Sequence, residues 1–219
     1  MFGRYQTSLP AAHMSYSHST LLALALMSLS GCAHRPIATT RAHPALSTQI
    51  VRSIAVLPIQ NRRVTPEENR DMSTRFISAF AARNPTIEIV KPADAVALLN
   101  NASLAQRYTM FLRDYTITDI PDKPLLSDVG KALRADAIAQ GAVVEIIQRN
   151  GFFNIQPGMT QVTVRYRIIS TSTGALLWEG MGSASRTTLT DLEKAPTLHH
   201  QLAIAQQAIL DTLPRLHSH

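Results

Sequence analysis

Apolar and polar positions recur along this chain with two different periods, and the changes of period mark its elements. Residues 53–59 (Ser-Ile-Ala-Val-Leu-Pro-Ile) are a near-continuous apolar run of strand length, the pattern of a central strand covered on both faces. Thr65-Pro66-Glu67-Glu68 then puts a hydroxyl at the cap, proline at the first helical position and glutamate at the third. That is a capping box with the favoured proline, and it opens a helix. The helix carries Met72, Phe76, Ile77 and Phe80 on one stripe and stops at Asn84-Pro85, since the residue before a proline avoids helical geometry. Thr86 to Val90 alternates over a short stretch and predicts a strand.

A second helix begins at Pro92 and runs to Leu99, and Leu104, Tyr108, Phe111 and Tyr115 draw another stripe that fits a core-facing helix. Asp119 to Pro124 is a loop, and Leu125, Leu126, Val129 and Leu133 form one more short helical face. Ala137 to Gln148 is a strand, apolar at its centre. Gln161 to Ser170 has the clearest two-residue period: Val162, Val164, Tyr166 and Ile168 face one way, and Thr163, Arg165, Arg167 and Ile169 the other. After the turn Thr171-Ser172-Thr173-Gly174, Ala175 to Met181 returns as a hairpin strand. Leu198, Leu202, Ala205, Ile209 and Leu213 close the chain as a helical stripe ended by Pro214. The expectation is an α/β (α+β) domain whose mixed sheet has about five strands, in the order β-α-β-α-α-β-β-β-α, with helices packed on the sheet.

The N-terminal segment is different. Residues 21–29 (Leu-Leu-Ala-Leu-Ala-Leu-Met-Ser-Leu) are the longest apolar run. They fall short of the roughly 20 residues of a spanning helix and match the h-region of a signal peptide. Positive charge ahead of them is thin (Arg4, with His13 and His18), and Met14 is an alternative start. Directly behind them stands Leu29-Ser30-Gly31-Cys32, with the single Cys of the chain. This resembles the bacterial lipobox, which implies cleavage between Gly31 and Cys32 and acylation of the Cys32 thiol. Several acyl chains on one residue anchor a protein stably where a single chain would not. Ala33 after the cysteine implies sorting to the outer membrane. Residues 33–50, with Pro36, Pro44 and scattered Thr and Ser, show no period and read as linker, able to reach about 60 Å when extended. The organisation expected is therefore signal peptide 1–31, lipidated Cys32 and linker to 50, domain 51–214 and tail 215–219.

Three local patterns are similar to a known group. Residues 53–59 resemble its "IAVLPF" opening strand, and Val129-Gly130-Lys131-Ala132-Leu133-Arg134-Ala135-Asp136-Ala137-Ile138-Ala139-Gln140-Gly141 resembles its "lGkaLgADyvvtGsv" segment. Ser172-Thr173-Gly174-Ala175-Leu176-Leu177-Trp178 resembles its "TGevlW" hairpin. The group comprises the curli-secretion (CsgG-type) lipoproteins, the LpoB-type lipoprotein activators of penicillin-binding proteins, and the TolB N-terminal domain. The resemblance covers about residues 51–213 and speaks to fold more than to task, since one fold hosts several jobs.

Candidate chemistry is sparse. The eight histidines lie at 13, 18, 34, 43, 199, 200, 217 and 219, so no Ser–His or Cys–His pair can be assembled within the strand-bearing body. One Cys excludes an intramolecular disulfide. His199-His200 lacks the i, i+4 spacing of a helical zinc pair, and neither metal nor cofactor is expected. The chain holds 21 Lys+Arg against 15 Asp+Glu. Loss of Arg4 with the leader leaves 20 positive residues, a net +5. In the periplasm such a surface meets acidic proteins, anionic lipid or anionic wall polymer rather than nucleic acid. The residues singled out for partner binding are Arg62 and Arg63 after the first strand, Arg165 and Arg167 on one strand face, and the loop aromatics Phe152 and Phe153. Adjacent loop aromatics either tuck under the sheet or form an exposed patch.

Together these features predict a protein that is not an enzyme. It is expected to be lipid-anchored at the outer membrane, facing the periplasm, and to bind another envelope protein as an assembly or accessory factor. Activation of a peptidoglycan synthase, and service as an oligomeric secretion component without its own transmembrane barrel, are the alternatives that the resemblance allows. The residues 150–160 are too few for two membrane-spanning strands of about 9–11 residues each, which argues against a curli-type pore.

Overall fold

The structure, a computed structural model, describes residues 36–61, 63–152, 156–188 and 194–218. Gly31, Cys32, Arg62 and Phe153 therefore lie outside the described residues. The elements are β1 (Ile37–Ala42), β2 (Ser53–Gln60), α1 (Pro66–Arg83), β3 (Glu88–Val90), α2 (Pro92–Asn101), α3 (Ala105–Thr118), α4 (Lys123–Leu133), β4 (Ala137–Arg149), β5 (Met159–Ser170), β6 (Leu176–Thr187) and α5 (Leu198–Leu210). All strands join one mixed sheet in the order β1-β6-β5-β4-β2-β3. The α+β class and the helices packed on the sheet are as expected, with six strands in place of about five.

The extra strand comes from the segment read as linker. β1 pairs antiparallel with β6 from Ile37↔Ser183 to Ala42↔Trp178, and all six of its residues are exposed. A strand that is held by backbone bonds at a sheet edge buries no face, so it leaves no apolar alternation to read. The nominal tail is likewise engaged. Val51 N donates to His217 O at 2.7 Å, and Leu216 N donates to Asn84 Oδ1 at 2.8 Å.

The capping box forms as the sequence requires. Glu68 N donates to Thr65 Oγ1, and Thr65 N donates to the Glu68 carboxylate. α1 and α5 cover one face of the sheet, burying Phe76, Phe80, Leu202 and Ile209 against Val56, Ala139, Val164, Tyr166 and Ile168. The Phe76 ring stacks on Tyr166 at 4.6 Å. α5 lies unusually close to β6: a Cβ on Gly182 would stand 2.2 Å from the Ala205 carbonyl oxygen. The helix can settle there only because that strand carries glycine.

α2, α3 and α4 cover the other face, with Leu99, Tyr108, Phe111, Tyr115, Leu126 and Leu133 over Ala55, Leu57, Ile138 and Ile169. The Tyr108–Tyr115 stripe is core, as its spacing indicates. The Arg134–Asp136 stretch is a structural joint. Asp136 accepts backbone N–H bonds from Arg52 and Ser53 and so ties β2 to β4. Thr171 Oγ1 donates to the carbonyls of Ala135 and Asp136, in the space that a Cβ on Gly130 would take. Arg134 ends α4 in the left-handed region at φ 52. Among the described residues no helix is long and apolar enough to cross a membrane.

Candidate functional site

The two strand-face arginines have opposite fates. Arg167 is 7% exposed. Its Nε donates to Glu179 and its Nη2 to Asp119 at 2.8 Å, and its guanidinium carbon lies 4.9 Å from the centre of the Tyr115 ring. Burial opposes its charge, but the Glu179 bond and the nearby carboxylates outweigh that, so its pKa lies above the ordinary arginine value. Arg167, singled out from the sequence for partner binding, thus has its charge met by carboxylates of the chain itself. Its partners Asp119 and Glu179 lie 48 and 12 residues away, and no local pattern announces them.

Arg165 points from the same face two residues earlier and has no ion pair or hydrogen bond among the described residues. It is half-buried, and burial followed by the charge of Arg167 lowers its pKa. Glu179 and Asp119 act on the Arg165 charge from a distance without forming an ion pair with it, which leaves its donors to a ligand, a partner or solvent.

Arg165 lines a groove of about 1200 Å³ between α3, the β2–α1 connection and the second half of β4. Gln60, Arg63, Met110, Ile117 and Val144 share its walls with Glu145. Met110, Ile117 and Val144 are 51%, 79% and 50% exposed, which is unusual for large apolar side chains gathered at one place. Arg63 crosses from the connection, and its Nη1 donates to the Ile146 carbonyl at 3.3 Å. Sequence reasoning named Arg63 and Arg165 but missed the apolar members. Met110 and Ile117 stand seven apart and off the core stripe of α3, and that spacing was the available signal.

The groove exists because β4 outruns its neighbour. β2 pairs with β4 only as far as Gln60↔Ala142, whereas β5 pairs with it through Arg149↔Met159. Burial along β4 falls accordingly: Ala137 to Gly141 are buried, and most residues from Val144 on are exposed. The strand is thus buried over its first half, while its apolar centre is only partly covered. A bulge between Val143 and Glu145 offsets the alternation where the helical cover ends.

Phe152 is 63% exposed at the far end of the β4–β5 hairpin, held by paired backbone bonds with Gln156. It stands out in solvent rather than under the sheet. The carboxylates are dispersed: Asp114 pairs with Arg113, Asp119 with Arg167, Asp122 caps α4 by accepting from Leu125 N, and Glu145 lies in the groove. Among the described residues no three His, Cys, Asp or Glu side chains gather as a metal site would need.

No family description matches the sequence, and no curated protein does. Among solved structures the chain is similar to a PelC dodecamer from Paraburkholderia phytofirmans, at 18% identity and a TM-score of 0.45 over 81% of this chain and 94% of that one. It is also similar to lipoprotein GNA1162 from Neisseria meningitidis, at 15% identity and 0.42 over 73% and 96%. The LpoB C-terminal domain from Escherichia coli follows at 12% identity and 0.39 over 65% and 94%.

Proposed function

We propose that this chain is a non-catalytic, lipid-anchored envelope protein that is tethered through Cys32 and docks on another envelope protein by the groove along β4. The observation that carries the docking half is the unpaired, half-buried Arg165 in a groove rimmed by exposed Met110, Ile117 and Val144. Apolar exposure and a half-buried charge without an ion pair at one place are both costs to the free protein, and a partner relieves both. The address rests on the apolar run at 21–29 followed by Leu29-Ser30-Gly31-Cys32. No nucleophile–base pair is needed in this reading, and Asp119, Asp122 and Asp136 have structural duties.

Metabolic labelling with palmitate, with Cys32→Ser as control, tests the tether: label on the parent chain and none on the variant is expected. Photo-crosslinking from positions spread over the domain surface in living cells tests the docking. Recovery of one specific envelope protein is expected, and recovery of none from any position would end the reading.

A further inference from the structure

Resting on that docking reading, we propose that the open side of β4, from Val143 to Arg149, receives an extended acidic segment of the partner as an added strand. Three observations carry this. First, the strand has a ladder on one side only: β5 pairs with it through Arg149↔Met159, and no strand of the described residues lies on the other side beyond Ala142. Second, its outward groups can be identified. In an antiparallel ladder the N–H and C=O of one residue point the same way and alternate along the strand. The Arg63 bond to Ile146 O comes from the open side, so Ile146 and Gln148 face outward and Ile147 faces β5. From Glu145 onward the pairing is regular, so the bulge does not spoil the template. Third, the groove beside this edge is cationic. Arg63, Arg113 and Arg165 line it against a single Glu145; Arg113 pairs with Asp114, whereas neither Arg63 nor Arg165 has a carboxylate ion pair among the described residues.

An extended peptide supplies main-chain bonds for affinity and alternate side chains for specificity. Carboxylates at every second position would share with Arg165 the face on which α3 lies, and the intervening apolar residues would fall on the opposite face, level with Val143 and Ile146. Arg63 now takes the Ile146 acceptor, and such a charged side chain is a device that keeps a free edge from pairing with its own kind. An incoming carboxylate that draws Arg63 aside exposes the template only to an acidic segment.

The test uses full-length protein in detergent micelles and a synthetic peptide of about eight residues alternating Glu and Val, long enough to span the edge at roughly 3.3 Å per residue. Three controls accompany it: the Lys–Val counterpart, the Glu–Val peptide N-methylated at alternate residues, and Arg165→Ala protein with Arg165→Lys as the conservative partner. Expected are saturable binding of the Glu–Val peptide and slowed amide hydrogen exchange at Ile146 and Gln148. Arg165→Ala should weaken binding roughly fivefold, with Arg165→Lys closer to the parent, and a rise to 1 M salt should weaken it by about tenfold. Binding that survives N-methylation, equal binding of the Lys–Val peptide, or no binding would each overturn the inference. In cells, crosslinks from Val144 to a second copy of this chain would also overturn it. Crosslinks to an envelope protein from other surfaces but none from Val144 would overturn the edge while leaving the docking reading intact.

Discussion

The two halves of β4 belong to one continuous strand and live in different worlds. From Ala137 to Gly141 the strand is buried, with β2 on one side, β5 on the other and helices on both faces. From Val143 to Arg149 it keeps β5 and loses β2. The two halves differ in their surroundings and are separated by the bulge between Val143 and Glu145. The first half contributes stability through area removed from water, and the second presents unused backbone groups, apolar side chains and positive charge. The same contrast holds between Arg167, enclosed by Glu179, Asp119 and Tyr115, and Arg165, which has no ion pair or hydrogen bond among the described residues.

The sharpest way to break the comparison is to truncate one residue in each half. Ile138 is fully buried, so Ile138→Ala should destabilise the domain by about 2–5 kcal/mol, whereas Ile147→Ala, at a residue 39% exposed, should cost at most about 0.5 kcal/mol. Denaturant midpoints of the two variants decide it, and equal losses would mean that the second half is as much core as the first. Gly182→Ala should cost about 1–3 kcal/mol by pushing α5 off β6, given the 2.2 Å approach to Ala205 O. Thr65→Ala removes the α1 cap and should lower stability by about 1 kcal/mol, read as thermal midpoint. The smallest effect has the opposite sign. Arg134 holds φ 52, so Arg134→Gly should stabilise by about 0.5–1 kcal/mol, with binding at the β4 edge unchanged.

Most helices and the central strands were legible because their burial imposes a period: Phe76 with Phe80, Tyr108 with Tyr115, and Val162 to Ile168 all announce a face. β1 was not legible, since an exposed edge strand is specified by its neighbour's backbone and not by its own side chains. The candidate site was half legible. Arg63, Arg165 and Phe152 stood out as charges and as an exposed aromatic. Whether a given arginine is free or enclosed depends on Asp119 and Glu179, which only the fold brings together. Nor does any pattern in 137–149 mark the residue at which β2 stops and β4 becomes an edge.

Amide hydrogen exchange along β4 in the purified full-length protein, compared with the same protein in native envelope preparations, tests the central claim most directly. Purified protein should exchange slowly from Ala137 to Gly141 and fast at Ile146 and Gln148, with those two amides slowed in the envelope. Slow exchange at Ile146 and Gln148 in the purified protein, or rates unchanged by the envelope, would contradict the account.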